Sequence, residues 1–274
     1  MPGKPESQVR DESNMNKFKR GIALAGLLFF LPVTGISGEG QMNPLLQEIK
    51  QIEFNQIHYD EPKADYFGYI PGHIPILISA PHGAKHFRTS KGEGRWKEED
   101  AYTASLAIKL GELTGAHVMF VHNRAGEDPN NDVHCRYKDY LKKVVEQNHI
   151  GFVLDLHGAG LKQPFKVDVG TLSNDTAKCS CPTFKGIIAK AFQDFEPGIF
   201  NQRFTARGPG TITCYARKCL GIESAQFEIN ANYRIVESKS SGFKADGPQM
   251  VDLIDRLNRI ILEINSQITK NPKT

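Results

Sequence analysis

The sequence has no strong excess of charge of either sign. It contains 34 lysines and arginines against 31 aspartates and glutamates, which gives a formal net charge of +3. Much of that excess lies near the N-terminus, at Lys4, Arg10, Lys17, Lys19 and Arg20. The rest of the chain is therefore close to neutral, which argues against a nucleic-acid-binding protein.

The chain also lacks internal repeats, low-complexity tracts and long proline- or serine-rich linkers after Asn43. Its 274 residues, of which 39% are hydrophobic, are enough to form one sizeable core. We therefore predict an N-terminal extension with a signal peptide over residues 1–40 and a single domain over residues 41–274.

An apolar run long enough for a typical membrane span is missing as well. The uncharged segment Gly21–Ile36 has 16 residues and contains Pro32, whereas a spanning helix needs about 20 apolar residues. Basic residues precede it and small residues follow it, as in a secretory signal peptide. We expect an exported protein, secreted or periplasmic, without stable membrane insertion after signal cleavage. An uncleaved membrane anchor is the alternative, and Met15 is an alternative start.

Cysteine is scarce, with five residues in the chain. Cys179 and Cys181 are close in sequence, as are Cys214 and Cys219, while Cys135 stands apart. Exported proteins retain disulfides, so we predict two disulfides between the two close pairs and a buried thiol at Cys135. The connectivity stays open, and free thiols or a structural zinc are the alternatives.

Apolar runs of strand length alternate with helical patterns. This order predicts an α/β fold, with a mixed, mostly parallel sheet and helices on both faces. The predicted strands are Ile74–Ala80, His117–His122, Phe152–Leu156, Val167–Leu172, Thr211–Tyr215 and Ser224–Asn230. The predicted helices are Asp100–Leu113, Tyr137–Asn148, Phe184–Phe195 and a C-terminal helix that carries Met250–Ile264.

Polar residues follow several of these strands. The carboxyl ends of parallel strands share one edge of a sheet, where ligands bind in open α/β folds. His82 and His157 each follow an apolar strand and precede a glycine, which lets a ligand approach the backbone closely. Two histidines in matching positions favour a zinc site over separate structural hydrogen bonds. Asp155 is a candidate acceptor for the ring of His157, and His86 lies at the edge of the site.

Three further positions complete the predicted site. Glu228 ends a strand and is a candidate general base, with a half-exposed structural glutamate as the alternative. Arg124 suits capture of a substrate carboxylate or polarisation of a carbonyl, with a salt bridge to Glu127 or Asp128 as the alternative. A third metal ligand is expected in the acidic run Glu98–Asp100, where helix capping is the competing explanation.

Five short motifs resemble those of the N-formylglutamate amidohydrolase family, distant relatives of the zinc carboxypeptidases. They are SAPHGA at Ser79–Ala84, EEDAYTASLA at Glu98–Ala107, NRAGEDPN at Asn123–Asn130, LDLHGAG at Leu154–Gly160 and QFEIN at Gln226–Asn230. Their order and spacing extend over most of the chain after the extension. The resemblance implies a carboxypeptidase-like fold and a zinc-dependent amidohydrolase that cleaves an N-acyl amino acid such as N-formylglutamate.

The resemblance also implies roles for individual residues. His82, Asp100 and His157 would bind Zn²⁺. Glu228 would be the general base for a metal-activated water, and Arg124 a catalytic and substrate-binding residue. Asn130 matches the family's substrate-side asparagine.

Two positions depart from the related families. The carboxypeptidase glutamate three residues after the first histidine is Lys85 here. The Asp-Leu-Asn-Arg motif becomes Asp128-Pro129-Asn130-Asn131, so one expected cation is absent. The candidates to replace it are Arg136, Arg203, Arg207 and Arg234, and we assign Arg234 to substrate binding.

Export is also unexpected for an enzyme that deformylates a metabolite. The expected partner is a small acyl-amino acid or peptide-like substrate, and the sequence does not predict an oligomeric state. One alternative is an exported carboxypeptidase or amidase that acts on cell-wall or γ-glutamyl peptides. The other is a metal-free secreted binding protein on the same fold.

Overall fold

The computed structural model describes residues 42–195 and 198–271. The predicted extension, signal peptide and alternative start lie outside these residues. Among the helices in the described part of the chain, none combines the length and the apolar character needed to span a membrane.

A six-stranded sheet forms the centre of the fold. Its strands, in spatial order, are β2 (Phe67–Ile70), β6 (Ala116–Val121), β3 (Ile74–Ala80), β8 (Phe152–Ala159), β10 (Glu223–Asn230) and β9 (Val167–Gly170). The four central strands are parallel, and β2 and β9 run antiparallel at the two edges. The predicted mixed, mostly parallel sheet is confirmed.

Helices cover both faces of the sheet, as predicted. They are α1 (Pro44–Gln56), α2 (Thr103–Thr114), α3 (Arg136–Gln147), α4 (Lys185–Ala191), α5 (Ile212–Cys219) and α6 (Gly247–Lys270). Buried residues of α1, α2, α4 and α6 join the core on one face, and those of α3 and α5 join the core on the other. The longest helix, α6, begins after Asp246, whose side chain accepts the N–H of Gln249 and so caps the helix.

Two small sheets lie outside the central one. Strand β1 (His58–Pro62) pairs with the short β7 (Asn123–Arg124), and β4 (His86–Ser90) forms a hairpin with β5 (Glu93–Lys97). A parallel bridge from His86 to Ala125 connects the hairpin to the segment that follows β7. The hairpin therefore starts beside the carboxyl end of β3, directly after the SAPHGA motif.

The predicted strand Thr211–Tyr215 is wrong, because this segment begins a helix. The Thr211 side chain accepts the N–H of Cys214 and caps α5. Ile212 and Ala216, four residues apart, are both buried in the core on the same face of the sheet, as the helical repeat requires. The five-residue window was too short to distinguish a strand from the first turn of a helix.

The predicted disulfides between the two cysteine pairs are also wrong. All five cysteines are free. Cys214 and Cys219 lie five positions apart on α5, where one is buried and the other exposed, so they cannot both face the first pair. The Sγ atoms of Cys179 and Cys181 lie 3.9 Å apart. Cys135 is a buried thiol, as predicted.

Candidate metal centre

The register of the sheet brings polar side chains together at the carboxyl ends of β3, β8 and β10. Glu228 of β10 pairs with His157 of β8, and Gln226 pairs with Asp155. Paired residues on neighbouring strands project to the same face. Glu228 and His157 therefore lie side by side although they are far apart in sequence.

Three candidate ligand atoms converge at this edge. The Oδ2 atom of Asp100 lies 3.3 Å from Nδ1 of His82 and 3.1 Å from Nδ1 of His157. The two imidazole rings are 4.8 Å apart and inclined at 76°, so that their lone pairs can converge. Zinc ligands at 2.0–2.1 Å in a tetrahedral arrangement are separated by about 3.3 Å. The donor set therefore fits a zinc ion.

The Nε2 atom of each histidine forms a hydrogen bond with a different buried carboxylate. Nε2 of His82 lies 2.8 Å from Asp128 Oδ1, and Nε2 of His157 lies 3.3 Å from Asp155 Oδ2, which confirms the predicted contact between Asp155 and His157. Because an ionised carboxylate only accepts hydrogen bonds, each Nε2 carries a proton and donates it. This arrangement of histidine and carboxylate is the one that orients metal-binding histidines.

The electrostatics of the cluster also require a positive charge. Each ring lies between two carboxylates, so neutral imidazoles would leave the Nδ1 lone pairs facing the negative Asp100. Burial opposes protonation of His157, but Asp155 and Asp100 outweigh it and hold its pKa well above the usual range. Protonation of the rings would supply this charge in the absence of a metal. A cation at the Nδ1 atoms would replace those protons.

Glu228 lies at this cluster. Its side chain is 7% exposed, and Oε1 accepts a hydrogen bond of 2.9 Å from Nε2 of Gln226. Burial raises the pKa of Glu228 to about 7, although the neighbouring His157 acts in the opposite direction. The sheet register and this hydrogen bond orient a carboxylate beside the three ligand atoms.

A second group of metal-competent residues, His82, His86 and Asp128, does not have the geometry of a metal site. The rings of His82 and His86 are stacked 3.9 Å apart and are inclined by 3°, so their in-plane lone pairs are parallel and cannot meet at one ion. His86 is 2% exposed, and burial lowers its pKa to about 3. Its neutral ring packs against His82 and fixes one side of that ligand.

The guanidinium of Arg124 lies over the ring of Trp96 on the β4–β5 hairpin. Its guanidinium carbon is 4.8 Å from the centre of the Trp96 ring, and within the described residues it forms no ion pair with Glu127 or Asp128. Its neighbour Ala125 pairs with His86, so successive side chains put Arg124 on the opposite face of this small sheet. The predicted salt bridge of Arg124 is therefore absent from the described residues, and its catalytic and substrate-binding role stays a prediction.

Arg234, the predicted substrate-binding cation, forms hydrogen bonds to the backbone at three points. It is 6% exposed. Nε donates to the carbonyl of Ile229 over 3.0 Å, Nη2 to that of Ala159 over 3.3 Å, and Nη1 to that of Ala101. Its charge also interacts with those of Asp100 and Glu228. These contacts link the strand ends to the segment of Asp100, and the role of Arg234 in substrate binding stays a prediction.

The side chain of Asn130 forms a hydrogen bond to the backbone, and that of Lys85 forms ion pairs. Oδ1 of Asn130 accepts the N–H of Ile212 over 2.7 Å and so helps to position the start of α5, which leaves the amide N–H₂ for a ligand. Lys85, which stands where the carboxypeptidases have a glutamate ligand, forms ion pairs with Asp60 and Glu98. Asp100 contributes the carboxylate at the cluster instead.

Arg88 reaches the cluster through Asp128, and the sequence analysis did not name it. It lies on β4, its side chain is 29% exposed, and Nε donates to Oδ2 of Asp128. The other candidate cations point elsewhere: Arg136 donates to Ala64, Arg203 to Gln163 and Arg207 to Leu172. The alternation of β4 after His86 offered a signal, because Arg88 falls on the same face two residues later.

Comparisons with known proteins identify the fold. No protein-family model and no curated protein matches the sequence. Among solved structures, N-formylglutamate amidohydrolase from Ralstonia eutropha JMP134 superposes with a TM-score of 0.50 at 13% identity, over 74% of this chain and 98% of that one. The resemblance seen in the motifs is confirmed at the level of the fold, which this chain shares with that structure.

Two further structures are similar at lower scores. A bacteriophage poly-γ-glutamate hydrolase matches with a TM-score of 0.47 at 15% identity, over 76% of this chain and 93% of that one. A metallo-carboxypeptidase from Pseudomonas aeruginosa matches with a TM-score of 0.40 at 10% identity, over 79% of this chain and 58% of that one.

Proposed function

We propose that this chain is a zinc-dependent amidohydrolase that cleaves the amide bond of an N-acyl amino acid, with N-formylglutamate as the reference substrate. One observation carries the proposal: His82 and His157 each bind a buried carboxylate through Nε2 and turn Nδ1 toward Asp100. Glu228 lies alongside in register with His157. A metal-free binding protein would have no need for this arrangement.

The chemistry follows from the positions of these side chains. A bound zinc ion would lower the pKa of a water molecule toward neutrality and polarise the scissile carbonyl. Asp128 and Asp155 keep the two imidazoles in the tautomer that presents Nδ1. Glu228 takes the proton of the attacking water and delivers it to the leaving nitrogen. The buried surroundings of Glu228 favour its uncharged form and thus its role as a temporary proton carrier.

The proposed substrate carries a carboxylate that Arg88 binds. One donor of the Arg88 guanidinium, Nε, forms a hydrogen bond with Asp128. Asp128 in turn contacts His82, a proposed zinc ligand. The terminal N–H groups of Arg88 are suited to bidentate capture of a carboxylate, and the backbone N–H of Asn130 donates to Asp128 nearby. An acidic acyl-amino acid fits these groups better than a neutral amide does.

The decisive experiment compares metal content and hydrolysis in the wild type and in Glu228→Gln. The wild type should contain about one zinc per chain and release formate from N-formylglutamate. Glu228→Gln should retain zinc, because its amide oxygen can still accept from Gln226, but lose about 10²–10⁴-fold in kcat, the usual contribution of general acid–base catalysis. Glu223→Gln, at the other end of the same strand, serves as the matched control and should retain activity.

Two other kinds of result would assign a different function or contradict the proposal. Release of amino acids from γ-glutamyl or cell-wall peptides, without formate release, would assign the site to the carboxypeptidase or amidase alternative. A protein without stoichiometric zinc, or one in which Glu228→Gln leaves hydrolysis unchanged, would contradict the proposal.

Export is a separate part of the proposal and is supported by the sequence pattern of residues 1–40. Expression of the full chain in a bacterial host should yield a product in the periplasm or medium that lacks the first segment. N-terminal sequencing checks this expectation, and an intact cytoplasmic product would refute it.

A further inference from the structure

The backbone of three consecutive residues, Asp100, Ala101 and Tyr102, is fixed by hydrogen bonds. The N–H of Asp100 donates to the carbonyl of His82 over 2.8 Å. The carbonyl of Ala101 accepts from Nη1 of Arg234. The N–H of Tyr102 donates to Oε1 of Glu53 over 3.0 Å. The first contact joins two candidate ligands directly, and the other two come from side chains outside the ligand set.

Tyr102 adopts a conformation that non-glycine residues rarely take. Its φ is 69° and its ψ is −2°, in the left-handed region, where the Cβ atom of an L-residue lies too close to the backbone. Such a conformation persists only where the surroundings enforce it. Here the ring is completely buried, and the hydroxyl donates to the carbonyl of Glu237 over 2.7 Å and accepts its N–H over 3.1 Å.

Glu53 is an unusual residue for its position on α1. Its side chain is completely buried, and burial raises the pKa of its carboxyl group. Besides the N–H of Tyr102 it accepts the hydroxyl of Tyr59. An apolar residue could be buried there without the cost of a buried carboxyl group, so the hydrogen bond to the N–H of Tyr102 is what this carboxyl group adds.

Arg234 approaches the same segment from the opposite side. It follows β10 and links Ala101 to the carbonyls of Ala159 and Ile229, at the ends of the strands that carry His157 and Glu228. Gly158 is required for this approach, because a Cβ atom there would lie 2.5 Å from the guanidinium carbon. The ligand segment is thereby fixed relative to both strands.

We propose that Glu53 and Arg234 are positioning residues that hold the Asp100–Tyr102 segment so that the Asp100 carboxylate faces the Nδ1 atoms of both histidines. This inference rests on the proposed metal site and deepens it, because Asp100 comes from a loop rather than from a position close after His82. Hydrogen bonds from Glu53 and Arg234 restrict the motion of this loop, as the hydrogen bonds of a helix or strand would.

The test measures metal binding rather than turnover. The full chain is loaded with Co²⁺, whose visible spectrum reports coordination geometry, and the dissociation constant is obtained by competition with a chromophoric chelator. Glu53→Ala should weaken binding about 10–100-fold, as is typical for residues that orient metal ligands, and should change the spectrum. Glu53→Gln should restore both, since the amide oxygen can still accept the N–H of Tyr102.

A matched control separates positioning from general stability. Lys239→Met removes hydrogen bonds to the carbonyls of Glu53 and Ile57 but does not touch Tyr102, so its Co²⁺ spectrum and affinity should match the wild type. If Glu53→Ala fails to fold, as judged by circular dichroism, the same Co²⁺ measurements on Arg234→Lys test the proposal. It should retain the charge but lose the contact with Ala101, and weaken binding about tenfold.

The outcomes separate this inference from the proposed function. Wild-type protein that binds no stoichiometric metal would contradict the metal site itself. A wild type that binds Co²⁺, together with folded Glu53→Ala or Arg234→Lys variants that keep its affinity and spectrum, would overturn the positioning role alone.

Discussion

Substitution of Asp128 by asparagine tests the reasoning about the metal centre most directly. Asp128 is completely buried, and its Oδ1 lies 2.8 Å from Nε2 of His82. Its carboxylate also accepts from Nε of Arg88 and from the N–H of Asn130. An asparagine has the same size and can still accept from His82, but it turns an N–H₂ group toward Arg88 and lacks the negative charge.

The expected magnitude follows from these contacts. Loss of a residue that orients a metal-binding histidine lowers affinity about 10–100-fold, which corresponds to about 1.4–2.8 kcal/mol. Asp128→Asn should fall near the lower value because one acceptor remains. Asp128→Ala should reach the upper value, because the Nε2 proton of His82 is then buried without a partner.

Zinc affinity should be measured by competition with a chromophoric chelator at one pH for all variants. Asp132→Asn is the matched control, since Oδ2 of Asp132 accepts the N–H of Asp128 over 2.9 Å without touching either histidine. Zinc affinity in Asp128→Asn equal to that of the wild type would refute the orienting role. An equal loss in Asp132→Asn would show that the loop, rather than the carboxylate, is responsible.

Three further predictions concern the substrate, the thiols and the core. Arg88→Gln should lower kcat/KM about 10–100-fold for an N-acyl amino acid but have little effect on the matching carboxamide, and an equal loss on both would mean that Arg88 acts only through Asp128. Thiol titration of freshly reduced protein should find one reactive group, Cys219, in the folded state and five after denaturation; several fast-reacting thiols in the folded protein would contradict the burial of the other four. Leu257→Ala, in the completely buried stripe of α6, should lower the free energy of unfolding by about 2–5 kcal/mol in urea titration, and a loss below 1 kcal/mol would contradict its packing.

The elements predicted well were those defined by a local pattern of apolar residues. The buried strand Ile74–Ala80 has the bounds predicted for it, and the repeat from Met250 to Ile264 lies within α6. The repeat is long enough for its period to identify a helix, whereas the short, continuous apolar run of Ile74–Ala80 has the length of a strand buried on both faces. The start of α2 was predicted three residues early, because the left-handed Tyr102 separates Asp100 from the helix. Nothing in a short acidic run reveals such a backbone turn.

Parts of the candidate site could also be predicted, for a topological reason. In a parallel sheet the carboxyl ends of strands meet at one edge, so residues that follow strands, such as His82 and His157, were expected to lie together. The structure brings them together with Asp100. Arg124 also ends a strand, but that strand belongs to a separate small sheet and its side chain projects to the other face.

The sequence by itself determined the α/β class, the strands that carry the histidines and the polar character of their ends, because each depends on neighbouring residues along the chain. Only the tertiary structure decided that Glu228 lies beside His157, that Arg88 contacts Asp128 while Arg234 binds three backbone carbonyls, and that Glu53 reaches the segment of Asp100. These relations depend on strand register and on contacts between residues far apart in the chain. Their energies are set when the core packs, so no local pattern of residues contains them.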